Sequence, residues 1–371
     1  MIRSLLSKFK IKSSSIQASL QGNFSVAWQS PSNIALIKYW GKKDGQLPIT
    51  PSLSMTLDKA YTRTRLHVTF DEIVKGLISV NGDPKHPFLP KMQHLLQWME
   101  REIPELGKLT LRVDTSNSFP HSTGIASSAS GLSAFAFCLL DIVQKLSDSE
   151  LRYHELQQLA SYVSRIGSGS ACRSVYGNFT VWGTSSMVHG SSDEYAIPIT
   201  EEVHPDLLSL HDAILIVSTK PKQLSSTQGH LTMKNHPLLN NRISLANQNL
   251  EEILHALKGN DFERLASVSE NEAFTLHSLI LSANPGIILM QPGTVEIIKH
   301  VREARKNGLP VFFTLDAGAN VHVIYPAASS LNVEKFIHIV LQSFCENGRI
   351  IFDQCGSGPV QLNENSPIVA S

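Results

Sequence analysis

The sequence predicts a fold that mixes strands and helices in two domains. A strand pattern, a small-residue loop and a helix pattern follow one another over residues 109–146, and further helix patterns end in strands between residues 240 and 325. The length of 371 residues and a hydrophobic share of 42% are enough for two cores. We place the boundary near residue 205, which gives domains at residues 1–205 and 206–371.

The unit at residues 109–146 is the most informative stretch. Leu109, Leu111 and Val113 alternate with polar residues, as a strand with one buried face requires, and apolar residues then recur at helical spacing. The loop between the two patterns, FPHSTGIASSASG at 119–131, is rich in Ser and Gly, so its amides and hydroxyls can converge on an anion. It either binds phosphate or only permits tight packing, and it is neither a Walker A loop nor a GxGxxG turn.

The remaining elements follow from periodicity and from turn residues. Helices are predicted at Lys91–Glu102, Leu151–Ile166, Asn240–Lys258, Phe262–Ser282 and Gly293–Asn307, the last ended by Gly308. Strands are predicted at Thr62–Phe70, Tyr176–Trp182, Ala213–Val217, Val311–Leu315 and Gly348–Phe352, with a loop before the first of them.

Three further segments carry candidate chemistry. In NIALIKYWGKK, residues 33–43, lysines and a tyrosine surround one glycine at a strand end, which suits a diphosphate or is a solvated basic turn. In GSGSACRSVYG, residues 167–177, Arg173 can grip a carboxylate or phosphate, or form a structural salt bridge. In DAGAN, residues 316–320, Asp316 stands at the apex of a β-turn or hairpin.

Composition excludes several classes of partner. The 32 basic and 32 acidic residues balance, so neither nucleic acid nor an anionic membrane is indicated as a general partner. The four cysteines form no CxxC pair and no cluster with His, and we interpret them as packing residues in a reducing compartment. No apolar run approaches a membrane span, so a soluble, cytoplasmic protein is expected. The basic, Ser-rich N-terminus is either a frayed end or a transit peptide.

Five segments, taken together and in order, resemble the diphosphomevalonate decarboxylase family of the GHMP kinase superfamily. They are NIALIKYWGKK, FPHSTGIASSASG and GSGSACRSVYG, together with SSTQG at 225–229 and FTLDAGANVHVIY at 313–325. The resemblance extends from about residue 23 to residue 361 and implies an α+β GHMP kinase fold. That fold joins a ribosomal-protein-S5-like N-terminal domain to a ferredoxin-like C-terminal α/β sandwich, with the site in the cleft between them.

The resemblance also implies an activity. Members of the family use ATP to phosphorylate the 3-hydroxyl of mevalonate 5-diphosphate, and loss of phosphate and CO2 then gives isopentenyl diphosphate. Such chemistry needs a base, neutralised phosphate oxygens and a site that protects a cation-like intermediate from water. ATP and Mg²⁺ are the implied cofactors, and a homodimer is the implied assembly.

Residue roles carry over from the same motifs. Asp316 matches the catalytic carboxylate, Lys38 the charge beside the transferred phosphoryl group, and Arg173 a catalytic and substrate-binding guanidinium. The other matches to substrate-binding positions are Tyr39, Lys42, Ser168 and Ser170. The matches to the ATP phosphate site are Ser122, Gly124, Ala126, Ser127, Ser128 and Ser226, with Ser128 the candidate Mg²⁺ contact.

The sequence departs from the family at three places and leaves alternatives open. Lys43 replaces the usual Arg, Ala319 replaces a proline, and GSGP at 356–359 replaces GPGP. Some relatives act on mevalonate monophosphate and others only phosphorylate mevalonate, so both activities remain alternatives. A non-catalytic metabolite-binding protein is the alternative from another class.

Overall fold

The computed structural model describes residues 2–11, 23–70, 74–119, 127–147, 149–220, 226–363 and 366–368. The strands, in chain order, are β1 Phe24–Ile37, β2 Ser52–Thr69, β3 Gly76–Val80, β4 Thr110–Asn117, β5 Phe179–Trp182, β6 Ala196–Pro198, β7 Leu210–Leu215, β8 Phe312–Thr314, β9 Val321–Pro326, β10 Ile350–Gln354 and β11 Val360–Leu362. The helices are α1 Ile2–Leu6, α2 Leu89–Glu102, α3 Ser127–Ser147, α4 Tyr153–Gly167, α5 Ser226–Leu231, α6 Leu239–Gly259, α7 Phe262–Leu281, α8 Pro292–Lys306 and α9 Ser330–Phe336.

The described residues form two sheets. The first has the order β11-β1-β2-β4-β3, with β5 paired to β2 and β6 paired to β5. Its pairs are antiparallel except β3 and β4, which run parallel. The second sheet is antiparallel, with the order β10-β7-β9-β8. Because β11 returns to the first sheet, the end of the chain connects the two halves.

Each face of the two sheets has an apolar layer. The first sheet packs on α2, α3 and α4 through residues such as Leu111, Leu132 and Leu159. A second layer joins the two sheets through α6 and α7, with Ile34, Ile214 and Leu250 in one cluster. The outer face of the second sheet is covered by α8 and α9. The two sheets therefore share the α6–α7 layer.

Most predicted elements are confirmed with shifts of a few residues at their ends. The predicted helices correspond to α2, α4, α6, α7 and α8, and Gly308 follows the end of α8 at φ +90°. The hairpin around Asp316 is also confirmed, because β8 and β9 pair antiparallel on either side of it. The four cysteines are free thiols, and three of them are buried.

Two predictions about the first half were wrong. The segment before residue 62 was predicted as loop, whereas β2 already begins at Ser52. Its hydroxyls are buried against neighbouring backbone, since Ser52 Oγ donates to Trp182 O at 3.3 Å and Thr56 Oγ1 to Tyr176 O at 2.9 Å. Because these hydroxyls form hydrogen bonds in the interior, the start of β2 can be as rich in Ser and Thr as a surface loop. The strand predicted from Tyr176 begins only at Phe179.

Helix α3, which the sequence predicted, is a longer apolar run than the sequence analysis stated. In the described part of the chain this helix is long and apolar enough to cross a membrane by length and composition, and most of it is buried inside the protein. The core helix of a soluble protein passes the same test. The statement that no run approaches a membrane span was therefore wrong for α3, and its burial shows why such a run occurs.

Asp353 ties the second sheet to the first. Its side chain is 2% exposed on β10, and it accepts backbone N–H groups from Asp58 at 2.9 Å, Lys59 at 2.8 Å and Ala60 at 2.7 Å on β2. Hydrogen bonds to a charged acceptor are stronger than neutral ones, and buried donors that lose their acceptor are costly. Asp353 is therefore a main contact between the sheets.

We expect Asp353→Ala to lower the free energy of unfolding by about 3 kcal/mol, because three amides lose one acceptor. Asp353→Asn, which keeps one oxygen, should lose less. Urea unfolding measures both, with the exposed Asp206→Ala as the control expected to stay within about 0.5 kcal/mol of the unmodified protein. Equal stability of Asp353→Ala and the control would show that this contact does not hold the sheets together.

Candidate active site

Lys38 lies at the centre of the site, immediately after β1 ends. Its side chain is buried, and its amine donates to Ala35 O at 2.5 Å and to Asp316 Oδ1 at 3.0 Å. Burial lowers the pKa of the Lys38 amine, while the carboxylates of Asp316 and Glu272 act in the opposite direction. The ammonium form therefore depends on carboxylates that other parts of the chain supply.

Asp316 supplies the partner from the β8–β9 hairpin. Its side chain is 32% exposed, so one face of the carboxylate remains accessible beside the buried amine. The carbonyl oxygen of Asp316 accepts from His277 Nε2 at 3.1 Å. The structure thus brings together two of the three residues that the resemblance assigned to catalysis, Lys38 and Asp316, although they are far apart in the chain.

Arg173 forms the floor of the site. The segment Gly169–Val175 is a 3₁₀ turn after α4, and it buries the guanidinium against Asn33 Oδ1 at 3.4 Å and Ser52 Oγ at 2.7 Å. Burial lowers the pKa of the Arg173 guanidinium, and the charge of Asp316 acts in the opposite direction. Among the described residues, Arg173 forms neutral hydrogen bonds in place of the structural salt bridge considered from the sequence. A buried guanidinium held in this way can serve an anionic ligand.

Ser168 and Ser170 flank Gly169 beneath the ring of Tyr39. A Cβ on Gly169 would lie 2.6 Å from the Tyr39 hydroxyl, so only glycine permits this approach. Both serines are partly exposed, and Ser170 O accepts from Asn33 Nδ2 at 3.5 Å. The structure therefore places the serines, Tyr39 and Arg173 in one region, as the resemblance implied.

Lys42 lies on the turn that follows. Its amine donates to Gln46 Oε1 at 3.0 Å, and burial together with the charge of Lys91 lowers its pKa. The turn leaves Gly41 at φ +92°, where a side chain would crowd Ile49 and Met233. Lys42 is partly buried and Lys91 is exposed, and two cations near each other favour a ligand with several negative charges.

His230 is a residue of this region that the sequence did not indicate. Its Nδ1 accepts the N–H of Gly41 at 3.0 Å, and its ring lies 4.3 Å from Tyr39 and 5.1 Å from Trp40. Burial, with Lys42 and Arg173 nearby, lowers the pKa of His230 to about 3. Since Nδ1 accepts, the neutral ring carries its proton on Nε2.

The helix N-terminus expected at the ATP phosphates begins at Ser127. Ser127 and Ser128 are half-buried in the first turn of α3, which contains no acidic residue. Ser133 of the same helix donates to Ser174 O at 3.1 Å, which connects α3 to the Arg173 segment. Ser122, Gly124 and Ala126 lie outside the described residues, as does the side chain of Ser226, so their assigned roles stay predictions.

A buried ion pair contacts the backbone of Lys38. Glu272 on α7 pairs with Arg242 on α6 through two contacts of 2.7 and 2.9 Å, and Asn249 donates to Glu272 at 2.7 Å. Glu272 also accepts the backbone N–H of Lys38 at 2.8 Å, and Arg242 donates to the carbonyl of Lys38 at 2.8 Å. This network fixes the peptide groups of Lys38.

Sequence reasoning missed Asn33, Arg242, Glu272 and His277. A signal for Arg242 and Glu272 was present, because each stands at helical spacing among apolar residues that are buried. A charged residue on an apolar helix face requires a partner in the core. Asn33 lies inside the quoted motif NIALIKYWGKK, where a polar residue within a strand gives the same indication.

The three departures from the family lie outside the described contacts of Lys38 and Arg173. Lys43 pairs with Asp193 at 3.3 Å on the surface, and Ala319 O accepts from Thr294 at 2.6 Å. In the GSGP segment, a Cβ on Gly356 would lie 2.2 Å from Leu57 O, so this segment packs on the first sheet. None of the three changes removes a group that contacts Lys38 or Arg173 in the described structure.

Three features define a protein of the GHMP-kinase type: two sheets, a carboxylate 3.0 Å from a buried lysine amine, and a long helix that follows a sequence segment rich in Ser and Gly. Residues 30–196 match the diphosphomevalonate decarboxylase-like N-terminal domain, and residues 213–366 match the mevalonate 5-diphosphate decarboxylase C-terminal domain. The chain belongs to the diphosphomevalonate decarboxylase family.

Relatives and solved structures agree over nearly the whole chain. The diphosphomevalonate decarboxylase of Candida albicans is 30% identical, over 92% of this chain and 99% of its own, and that of Danio rerio is 31% identical over 88% and 81%. The mevalonate diphosphate decarboxylase structure from Staphylococcus aureus is 28% identical, with a TM-score of 0.77, over 93% of this chain and 99% of its own. A complex of MDDEF with MVAPP, AMPPCP and magnesium is 28% identical, with a TM-score of 0.74, over 92% and 99%.

We expect the ring of His230 to stay neutral between about pH 5 and 8, because its pKa is about 3. Ring ¹⁵N NMR, assigned with His230→Asn, should show the proton on Nε2. As pH falls below about 6.5, the unfolded chain takes up a proton that the folded protein resists, so the native state should lose stability relative to His230→Asn. A His230 titration near pH 6.5 would contradict this environment.

Proposed function

We propose that the protein phosphorylates the 3-hydroxyl of mevalonate 5-diphosphate with ATP, and that loss of phosphate and CO2 then gives isopentenyl diphosphate. The observation that carries the proposal is the partly exposed Asp316 carboxylate, 3.0 Å from the buried amine of Lys38. Membership of the diphosphomevalonate decarboxylase family supports the same reaction.

Asp316 is the proposed general base. A tertiary hydroxyl is a poor nucleophile, and its proton must leave as the oxygen attacks phosphorus. The accessible face of the carboxylate offers an acceptor for that proton, while the Lys38 ammonium stays beside it as a fixed charge. Lys38 can then stabilise negative charge on the transferred phosphoryl oxygens without moving.

The substrate has two anionic ends, and the site has two cationic regions. Lys42, with Lys91 close enough to lower its pKa, forms the region proposed for the diphosphate, together with the Tyr39 hydroxyl. Arg173, with Ser168 and Ser170 beside it, forms the region proposed for the carboxylate. Binding both ends would place the 3-hydroxyl between them and fix its approach to the phosphoryl group.

ATP supplies the phosphoryl group, and Mg²⁺ neutralises its phosphate oxygens. The first turn of α3 suits the phosphates, because a long helix without acidic residues in that turn presents free N–H groups and the hydroxyls of Ser127 and Ser128. Among the described residues there is no group of three or more His, Cys, Asp or Glu side chains that could hold a metal. This fits a Mg²⁺ ion held mainly by ATP, with Ser128 as the proposed contact from the chain.

We expect incubation with ATP and mevalonate 5-diphosphate to release ADP and CO2 in equal amounts. The Lys42–Lys91 region should make kcat/KM for the diphosphate at least about tenfold higher than for mevalonate 5-phosphate, since one further charge is bound. A coupled ADP assay and trapping of labelled CO2 measure both. ADP release without CO2 would instead identify a kinase, a preference for the monophosphate would change the substrate, and no turnover would leave a binding protein.

We expect Asp316→Asn to remain folded, to bind ATP and substrate, and to lose about 10²- to 10⁴-fold or more in both phosphorylation and CO2 release, because the base is absent. Asp83→Asn is the control, since Asp83 accepts the backbone N–H of Lys85 at 2.8 Å and so caps a turn away from Lys38. If Asp316→Asn turns over within a few-fold of the unmodified enzyme, Asp316 only caps its turn.

The homodimer and the cytoplasmic location implied at the outset stay predictions. Light scattering after gel filtration would measure the assembly, and fractionation of cells would measure the location.

A further inference from the structure

Helix α7 contacts the backbone of both members of the Lys38–Asp316 pair. We propose that Glu272 and His277, both on α7, are positioning residues that set the separation of these two groups. The inference rests on the proposed function for its catalytic meaning, but the geometry is independent of the substrate. It assigns a role in the site to a helix that none of the recognised motifs includes.

The need for a third element follows from the topology. Lys38 comes directly after β1 in the first sheet, and Asp316 comes two residues after β8 in the second sheet. Both residues lie beyond the ends of their strands, so the strand pairing of neither sheet sets their separation. Two residues presented by different sheets keep a fixed distance only if something contacts both.

Glu272 holds the Lys38 side. Its Oε2 accepts the Lys38 N–H at 2.8 Å, while Arg242, paired with the same carboxylate, donates to the Lys38 carbonyl at 2.8 Å. The side chains of Glu272 and Arg242 are 0% and 1% exposed. Water therefore cannot replace either contact without a local opening of the core.

His277 holds the Asp316 side. It is 2% exposed, and its Nε2 lies 3.1 Å from the carbonyl oxygen of Asp316. A carbonyl oxygen only accepts hydrogen bonds, so Nε2 must carry the proton and donate. Since residues 272 and 277 are separated by about 7.5 Å along a helix axis, one rigid element fixes both contacts.

Apolar packing also connects α7 to the chain beside Lys38 and beside Asp316. Trp40, two residues after Lys38, packs in a cluster with Leu276, Leu279 and Ile280 of α7. Ala317, the residue after Asp316, packs against the same cluster. The chain on both sides of the pair is therefore held on the C-terminal half of one helix, by hydrogen bonds and by packing.

Two other buried polar contacts, one on α7 and one at its C-terminal end, provide matched controls. Glu270 also forms a buried bidentate pair, with Arg305 at 2.6 and 2.9 Å, but its described contacts are with arginines and not with Lys38 or Asp316. His236 is a buried histidine whose Nε2 lies 3.2 Å from the hydroxyl of Ser282, one residue beyond the end of α7. Substitutions at Glu270 and His236 therefore measure the effect of losing a buried polar contact at α7 that does not involve Lys38 or Asp316.

The first experiment compares His277→Leu, which removes the donor, with His277→Gln, whose amide nitrogen can occupy the position of Nε2. We expect His277→Leu to lower kcat about 10- to 100-fold with little change in KM, and His277→Gln to recover most of it. His236→Leu should lose stability without this fall in kcat. If His277→Leu does not fold, His277→Asn, whose amide is too short to reach Asp316 O, takes its place.

The second experiment needs no turnover. In protein containing ¹³C-lysine, the Lys38 signal, assigned with Lys38→Arg, reports the pKa of its amine. Asp316 raises this pKa, so a retreat of the carboxylate in His277→Leu should move the titration to lower pH, while His277→Gln and His236→Leu should leave it in place. An unchanged Lys38 titration in His277→Leu, or an equal change in His236→Leu, would overturn the role of His277.

Glu272→Gln and Glu270→Gln test the other contact. Glu272→Gln should lower kcat at least about tenfold more than Glu270→Gln at comparable loss of thermal stability, because of these two glutamates Glu272 is the one that accepts the Lys38 N–H. Equal losses of kcat would overturn the role of Glu272. If the unmodified protein fails to turn over mevalonate 5-diphosphate, the proposed function fails, and the Lys38 titration then decides the inference separately.

Discussion

The buried amine of Lys38 sets the main physical constraint on this protein. An ammonium that has lost its hydration is costly unless charged and polar partners replace the water. Ala35 provides a carbonyl from strand β1, but the only carboxylate within salt-bridge distance in the described structure is Asp316, on a hairpin of the other sheet. The two halves of the chain must therefore meet at a fixed distance. The Asp353 contact, the shared α6–α7 layer and the return of β11 to the first sheet all serve this requirement.

Much of the fold was predictable because its signals are local. Alternation defined β4, helical spacing defined α2, α4, α6, α7 and α8, and DAGAN between two apolar runs defined the hairpin with Asp316. The start of β2 was not predictable in this way, because the buried hydroxyls of Ser52 and Thr56 donate to backbone at positions 130 and 120 residues away. The residue type shows that a side chain is polar. Whether that side chain is buried or exposed depends on hydrogen-bond partners that are distant in the sequence.

The same distinction separates the parts of the site. Lys38, Tyr39 and Arg173 stand in short segments whose residue types indicate anion binding. Asp316 stands in a turn segment that presents a carboxylate, and the structure brings it into contact with Lys38. Glu272 and His277 contact backbone groups, which every residue has, so no residue type at the other end marks the contact. What the sequence does show is a charged residue at an apolar helical position. That signal predicts a buried partner but does not identify it.

The two buried ion pairs on α7 can be compared on energetic grounds. A fully buried pair such as Glu272–Arg242 is often no more stable than apolar residues of the same volume, because desolvation offsets most of the attraction. Stability alone therefore gives little reason for this pair to be charged. An apolar pair, however, could neither accept the N–H of Lys38 nor donate to its carbonyl, and both groups would then be buried without partners. Glu270–Arg305, which includes a partly exposed arginine, has no such groups to satisfy among its described contacts. The charge at Glu272 is therefore best explained by the peptide groups of Lys38 that it and Arg242 hold, and through them by the position of the amine beside Asp316.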